Sequence, residues 1–440
     1  MFPVYPEALV PLSSHEPGQP IQMRTGRAPF RGGTIDGRGD YLVSLELLPS
    51  PWVRVQAEAA LHGTGAWAIG QGMADSFAFQ PYPDSNFVEL TLRQMRGFEA
   101  FEIIAQPRTL RTVLGVQDGI GGIGFGLHNL PLLYQPVWEG RYSGPCPPNR
   151  VLIEIGDWIA IVHPRSDISN VQDHLSRFGT FAVTHVGVLR TVDESPFALA
   201  DADGVLKTLF WLVSFVRGTW GGPLVQRLLD PLGKHVGEVW EAPKVDAAVS
   251  ASSWMDSLRA DSMQQIANPM HCLLTSPETT DVLRSAIHWY ITCNKQSGGA
   301  TGSVVLCQAA IELLAWHLLV QAESTISKQR FESLKASDRI RLVLRRAKIP
   351  STIPSGLPDL GELAATHKWI DLPHALSAIR NAIVHPGDTA LDVNASPIAV
   401  HFAWLLGVQL LELLILNLLE YKGTYRCRVT RVTFPVPWTA

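Results

Sequence analysis

The sequence predicts an α+β fold, in which a β-rich N-terminal domain precedes an all-α helical bundle. Short segments from Thr34 to about Arg190 alternate apolar and polar residues, whereas the region after Met263 carries long apolar segments with a 3.6-residue period. The 440 residues also exceed the roughly 250–300 that a single core supports. We therefore expect domains over 1–262 and 263–424, and a tail over 425–440 in which a strand is one option.

The N-terminal domain is expected to be mainly strands, with a sandwich as the arrangement considered. The glycine-rich segment Gly115 to Gly126 lacks the Lys-Ser/Thr of a P-loop, so we interpret it as a loop. Two helices are predicted, over Asp167–Phe178 and Ala198–Val216. The predicted strands are Tyr41–Leu47, Trp52–Ala57, Phe87–Leu92, Phe101–Ala105, Val151–Ile155, Trp158–Val162, Phe181–Val192, Leu224–Leu229 and His235–Trp240.

The C-terminal domain is expected to contain four major helices and one short one. A glycine-rich break from Gly298 to Gly302 precedes the second major helix. The major helices are Asp281–Cys293, Ser303–Gln321, Ala336–Lys348 and Ser396–Tyr421, and the short one is Pro373–Ile379.

Composition excludes several classes of protein. A formal net charge of −4 and a pI near 6.4 argue against a protein that coats nucleic acid through bulk charge. The first residues lack the pattern of a signal peptide, and no run reaches about 18 uninterrupted apolar residues, so we expect a cytoplasmic protein without a membrane anchor. The five cysteines are scattered and form no CxxC pair, and no HExxH is present, so neither a metal nor another cofactor is expected.

The segment Arg380-Asn381-Ala382-Ile383-Val384-His385, followed by Pro386-Gly387, carries the clearest chemical signal. Arginine keeps its charge and can bind two phosphate oxygens, while histidine can take or give a proton near neutral pH. RNA supplies its own nucleophile, so cleavage of a phosphodiester needs only a base, an acid and a cation. Asn381 could orient either side chain or the phosphate. Alternatively, the three residues simply cap and end a helix.

The spacing and its helical setting resemble the HEPN domain family (higher eukaryotes and prokaryotes nucleotide-binding). Ribonuclease members of that family carry an arginine, four to six residues and a histidine, often with Asn directly after the Arg, and Arg380, Asn381 and His385 match this pattern. The resemblance covers roughly Asn268 to Gly423. It implies a homodimer formed through the bundle, with two Arg and two His lining one cleft, and products that end in a 2',3'-cyclic phosphate.

Two further sets of residues are candidates for the site. Gln308 and Glu312 lie four residues apart on an otherwise apolar helix. Because a buried carboxylate is rarely left unpaired, we expect Glu312 to pair with Arg380 or His385. The alternatives, with equal weight, are that Glu312 forms an unrelated ion pair or lies on a solvated edge of the helix. A dense basic cluster on the third major helix is the candidate RNA-binding surface, although such a flank is often merely solvated. Its members are Arg339, Arg341, Arg345, Arg346 and Lys348.

Together these observations predict a metal-independent endoribonuclease with RNA as its substrate. Through the resemblance, a regulated phage-defence or toxin-like factor is implied, in which the N-terminal domain senses an unknown activating ligand or protein. The alternative is a non-catalytic HEPN-like nucleotide-binding or dimerisation module with ligand binding in the N-terminal domain.

Overall fold

The computed structural model describes residues 9–32, 35–48, 50–62, 77–83, 85–97, 100–135, 137–138, 144–145, 150–249, 252–385, 387, 391–392 and 396–439. The contacts divide the chain into two compact units. The first contains 1–133, 147–206 and 221–249, and the second contains 134–146, 207–220 and 250–440. A β-rich N-terminal region followed by a helical C-terminal region confirms the predicted fold class.

The first unit opens with a short helix and a closed six-stranded antiparallel barrel, so a barrel replaces the sandwich that we considered. Along the sheet the strands run β1-β2-β3-β6-β5-β4, and β4 pairs back onto β1. The elements are α1 (Val10–Ser13), β1 (Ile21–Gly32), β2 (Ile35–Glu46), β3 (Trp52–His62), β4 (Phe77–Phe79), β5 (Val88–Arg96) and β6 (Phe101–Pro107). Alternate residues of β3 and β6 are buried, which is the period expected when one face of a strand points inward.

A seven-stranded antiparallel sheet forms the rest of the first unit, in the order β11-β12-β13-β8-β14-β15-β7. Its strands are β7 (Arg111–Gly115), β8 (Gly122–His128), β11 (Val151–Ile155), β12 (Trp158–Pro164), β13 (Val183–Thr191), β14 (Leu224–Leu229) and β15 (His235–Glu241). Two helices accompany it, α2 (Ile168–Phe178) and α3 (Leu199–Arg217), and the boundary between the units falls within α3. Strands β11 and β12 pair as a hairpin, as do β14 and β15, and all four strands lie where the sequence predicted them.

The prediction of a loop from Gly115 to Gly126 is wrong for its second half, because β8 lies in the middle of the sheet. Its glycines at 122, 124 and 126 allow close packing on one face: a Cβ on Gly124 would lie 2.5 Å from Leu9 Cδ2. Glycine therefore marks close approach here and not a turn.

The barrel and the sheet of the first unit share one core. Phe30, Phe79 and Trp240 stack in sequence, with ring centroids 5.5 and 6.0 Å apart. Over this core, Arg24 Nη1 lies 3.3 Å from Glu238 Oε1, and the Arg24 guanidinium lies 3.5 Å from the centre of the Tyr82 ring. Burial raises the pKa of Glu238 despite the opposing effect of Arg24.

The second unit is a helical bundle with a C-terminal hairpin. Its helices are α4 (Asp261–Thr275), α5 (Thr280–Asn294), α6 (Gly299–Trp316, continued as a π-helix over His317–Ala322), α7 (Lys328–Ser333), α8 (Ala336–Arg346), α9 (Pro358–His367), α10 (Leu372–Val384) and α11 (Pro397–Leu418). The hairpin pairs β16 (Thr424–Arg426) with β17 (Thr433–Pro435), and the short strands β9 (Val137–Trp138) and β10 (Gly144–Pro145) pair with each other. Single-turn 3₁₀ helices lie at Ser257–Arg259 and Pro437–Thr439.

The four predicted major helices are present as α5, α6, α8 and α11, but three details differ. The predicted glycine break lies largely inside α6, which begins at Gly299. The predicted short helix Pro373–Ile379 extends to Val384, so Arg380 and Asn381 are helical. Helices α4, α7 and α9 were not predicted, and α4 contains an internal proline, Pro269, which weakens its helical signal.

Candidate functional site

Helix α10 presents the Arg380 segment, and its start is fixed by an ion pair. Asp371 caps the helix by accepting a hydrogen bond from the His374 backbone N–H at 2.9 Å. Arg341 of α8 holds the same carboxylate with two bonds of 2.6 and 3.0 Å. Burial would raise the pKa of Asp371, but these bonds outweigh it and the pKa is lowered.

The other end of α10 is exposed to solvent. Leu376, Ile379 and Ala382 anchor the helix in the core, whereas Asn381, Val384 and His385 are exposed and Arg380 is half-buried. His385 ends the helix with φ −128° and ψ 69°, and its backbone N–H donates to Asn381 O at 2.7 Å. Pro386 lies outside the described residues. Since the C-terminus of a helix carries partial negative charge, cationic side chains are favoured there.

Within this trio the structure brings two side chains together: Arg380 Nη1 donates to Asn381 Oδ1 at 3.2 Å. No carboxylate pairs with Arg380 among the described residues. His385 lies five residues further on, about 7.5 Å along the axis of an ideal helix. The end of α10 therefore offers a guanidinium, an amide and an imidazole to solvent.

Three of the five candidate RNA-binding cations near α8 form ion pairs within the helical unit. Arg339 pairs with Glu312 at 2.9 Å, Arg341 with Asp371 at 2.6 Å, and Arg346 with Glu323. Arg345 and Lys348 are exposed and have no carboxylate partner in the described ranges. Pairing with helices on either side of α8 thus accounts for three of the five cations.

The expected pairing of Glu312 with Arg380 or His385 is not observed. Glu312 Oε2 accepts from Arg339, and Glu312 Oε1 accepts from the Gln308 amide at 2.9 Å. Arg339 also donates to the backbone carbonyls of Phe331 and Glu332. Glu312 therefore links α6 to α8 and to the end of α7, because Arg339 faces it across the bundle.

Sequence reasoning missed a deeply buried ion pair of the second unit, between Arg428 and Glu412, each with a side chain 1% exposed. Arg428 Nε and Nη2 both lie 2.7 Å from the Glu412 carboxylate oxygens. Tyr290 Oη donates to Glu412 Oε1 at 2.8 Å, and Asn294 Oδ1 accepts from Arg428 Nη2 at 2.9 Å. Glu412 is a carboxylate within a long apolar helix. Since a buried carboxylate needs a cationic partner, its position was the signal in the sequence that could have indicated this ion pair.

Two histidines of the first unit, His163 and His185, lie in less exposed surroundings than His385. Burial lowers the pKa of His185 to about 3 and that of His163 to about 4, so both stay neutral near pH 7. His185 is fully buried and its Nδ1 lies 3.1 Å from Thr184 Oγ1. His185 belongs to the core of the sheet and His163 is half-buried, whereas His385 is exposed.

No group of three or more His, Cys, Asp or Glu side chains arranged to hold a metal ion occurs in the part of the chain that the structure describes. The described cysteines, Cys272, Cys293, Cys307 and Cys427, are all free. By length and composition, two helical segments, Gly299–Ala322 and Pro397–Leu418, could cross a membrane, and 61% and 78% of their apolar windows are buried inside the bundle.

Two family models match the chain. Residues 119–251, which contain most of the seven-stranded sheet, match the YopA central domain, and residues 276–436, which contain most of the bundle, match the YopA C-terminal domain. An uncharacterized SPbeta prophage-derived protein YopA of Bacillus subtilis (strain 168) is 30% identical over 304 residues, covering 67% of this chain and 64% of that relative. No solved structure matches. Neither family description names HEPN domains, so that resemblance stays a prediction.

Proposed function

We propose that the helical unit is a metal-independent endoribonuclease whose site includes Arg380, Asn381 and His385. The observation that carries the proposal is the exposed end of α10, where an arginine without a carboxylate partner in the described chain precedes an exposed histidine by five residues. A guanidinium already neutralised by a carboxylate binds phosphate poorly, and Arg339, Arg341 and Arg346 are all neutralised in this way. The similarity to a prophage-derived protein is compatible with a role in conflict between phage and host.

The proposed reaction is an internal transfer within RNA. A base removes the proton of a 2'-hydroxyl, its oxygen attacks the adjacent phosphorus, and the bond to the 5'-oxygen breaks as an acid returns a proton to that oxygen. The products are a 2',3'-cyclic phosphate and a 5'-hydroxyl. Arg380 binds the non-bridging oxygens as negative charge develops, and Asn381 holds the guanidinium in place.

One histidine cannot serve as both base and acid in a single turnover, so we propose that a second copy of the chain supplies the other imidazole. Val384 at the end of α10 and Ile398 in the first turn of α11 are exposed apolar side chains, and burial of such side chains against a second copy would favour association. The same exposure supports the second candidate function, a dimerisation module in which Arg380 and His385 bind a nucleotide without cleaving it.

The test is incubation of the full chain with tRNA and total RNA in EDTA, followed by mass spectrometry of the product ends. We expect cyclic phosphate ends from the wild type and a loss of at least about 100-fold in Arg380→Ala and His385→Ala. Matched controls are Arg93→Ala, an exposed arginine bonded to the Gln106 amide, and His62→Ala, an exposed histidine of the barrel. Nucleotide binding without cleavage would instead favour the module, and cleavage that survives both site variants would remove Arg380 and His385 from the mechanism.

A further inference from the structure

Strand β7 lies at one edge of the seven-stranded sheet, and part of its outer side is unpaired. The Val116 backbone N–H donates to Val236 O of β15 at 3.1 Å. Because hydrogen-bonding directions alternate along an antiparallel strand, the backbone groups of Arg111, Val113 and Gly115 point away from β15. No described residue pairs with these outward groups.

The chain itself begins to extend this edge and then stops. Gln117 O accepts from Leu199 N at 2.8 Å, and Ile120 exchanges two backbone hydrogen bonds with Phe197, at 2.9 and 3.0 Å. These contacts cover the edge beyond Gly115, and among the described residues none pairs with the outer side of Arg111 to Gly115. Proline and a bulge, two of the usual protections of an exposed edge, do not occur in Arg-Thr-Val-Leu-Gly, and its one charged side chain, Arg111, is held by Asp203.

Two clefts of the first unit lie along this open edge. One has a volume of about 630 Å³ and is lined by Tyr82, Phe87, Thr112 and Leu114. The other, of about 470 Å³, is lined by Arg111, Asp118 and Asp203. Both are also lined by Val113 and Gly115, so an added strand would direct alternate side chains into the two clefts.

The linings of the clefts differ in chemistry. The larger cleft presents aromatic rings and Leu114, which suit apolar side chains. In the smaller one Arg111 is already held by Asp203, with bonds of 2.8 and 3.1 Å, whereas Asp118 is exposed and has no partner among the described residues. Asp118 therefore favours a cationic side chain. Leu110, 95% exposed, and Val116, 51% exposed, flank the strand and add apolar area to the surface.

We propose that β7 is a docking edge for an extended segment of a partner protein, which adds to the sheet as a further strand and alternates apolar with basic residues. Backbone hydrogen bonds to Arg111, Val113 and Gly115 supply affinity, and the two clefts supply side-chain specificity. This surface lies in the first unit and is independent of the nuclease proposal.

The experiment uses the full chain and a fluorescent seven-residue peptide, Ser-Val-Lys-Val-Lys-Val-Ser, blocked at both ends, with fluorescence anisotropy as the readout. We expect saturable binding with a Kd of roughly micromolar order. Two further peptides carry N-methyl groups on the odd-numbered or on the even-numbered backbone nitrogens. Only every second N–H faces β7, so one methylated peptide should lose binding and the other should keep it. Failure of the unmethylated peptide to bind, or equal loss for both methylated peptides, would overturn the proposal.

Three variants separate the edge from other surfaces. Val113→Pro removes an outward N–H without removing a bond to β15, and should weaken binding at least about tenfold. Asp118→Lys changes an exposed side chain that the fold does not need, and should shift preference towards a peptide with Glu in place of Lys. The control is Leu232→Ser, a 93% exposed leucine in the turn between β14 and β15, which should bind as the wild type does. If Val113→Pro instead converts a dimer to a monomer and leaves peptide binding intact, the occupant is a second copy of the chain and the proposal is wrong.

Discussion

Arg428 and Arg380 belong to the same helical unit, and their surroundings are opposite. Arg428 is 1% exposed, and its charge is matched by Glu412 within a network that includes Tyr290 and Asn294. Arg380 lies at the solvent-exposed end of α10, where its described partner is a neutral amide. The difference separates an arginine that stabilises the bundle from one whose charge remains available to a ligand.

Arg339 falls between these two extremes. It pairs with Glu312, and both side chains are 24% exposed. Arg428 is the most buried of the three arginines, Arg339 and Arg380 are both half-buried, and Arg380 alone of the three lacks a carboxylate partner in the described chain. If these differences reflect their roles, the cost of removing each side chain should decrease from Arg428 to Arg339 to Arg380, and the effect on RNA should increase.

The largest effect on stability is expected from Arg428→Met. Removal of this cation leaves the Glu412 carboxylate buried and uncompensated, which should lower the free energy of unfolding by about 3–5 kcal/mol. The double variant Arg428→Met with Glu412→Leu should recover a large part of that loss. Urea denaturation monitored by circular dichroism measures both, and Arg426→Met, an exposed arginine of β16, is the control. A double variant no more stable than the single one would contradict the assignment of the loss to an unpaired charge.

The sequence was sufficient to predict the class of fold and most major elements, because hydrophobic period is a local property. Helix α11 and the hairpin of β11 and β12 follow directly from it. Strand β8 does not, since the glycines that usually indicate a loop allow Leu9 to pack closely, and Leu9 is more than a hundred residues away in the sequence. The closure of the barrel also depends on pairing between β1 and β4, which no local pattern encodes.

The candidate site was predictable in its residues and not in its partners. Arg380, Asn381 and His385 lie within six residues of each other in the sequence, so their shared location at the end of α10 could be predicted. The partner of Glu312 was not, because Arg339 and Arg380 are both arginines on neighbouring helices and only packing selects between them. Likewise, the position of Glu412 in an apolar helix indicated a buried charge. Its partner, Arg428, lies on the C-terminal segment after the bundle, and no local pattern pointed to it.

A smaller effect is expected from Glu312→Gln. The variant keeps a polar side chain next to Gln308 and loses the charge that holds Arg339, so the free energy of unfolding should fall by about 1 kcal/mol. RNA cleavage should be unchanged once the protein is folded, because Glu312 contacts Arg339 and not the end of α10. Thermal denaturation and the EDTA cleavage assay, run on the same samples, provide the two readouts. Loss of cleavage at an unchanged melting temperature would restore Glu312 to the catalytic set.

The smallest effect on stability is expected from Arg380→Ala and His385→Ala. Neither side chain has a carboxylate partner in the described residues, His385 is exposed and Arg380 is half-buried, and replacements of such surface side chains usually change the free energy of unfolding by less than about 0.5 kcal/mol. Asn381→Ala should be similar, since its amide contact with Arg380 is exposed. Urea denaturation of all three variants beside Arg428→Met places them on one scale. A loss above about 1.5 kcal/mol for either Arg380→Ala or His385→Ala would mean that the trio caps and stabilises α10, and any loss of RNA cleavage in that variant could then no longer be assigned to chemistry.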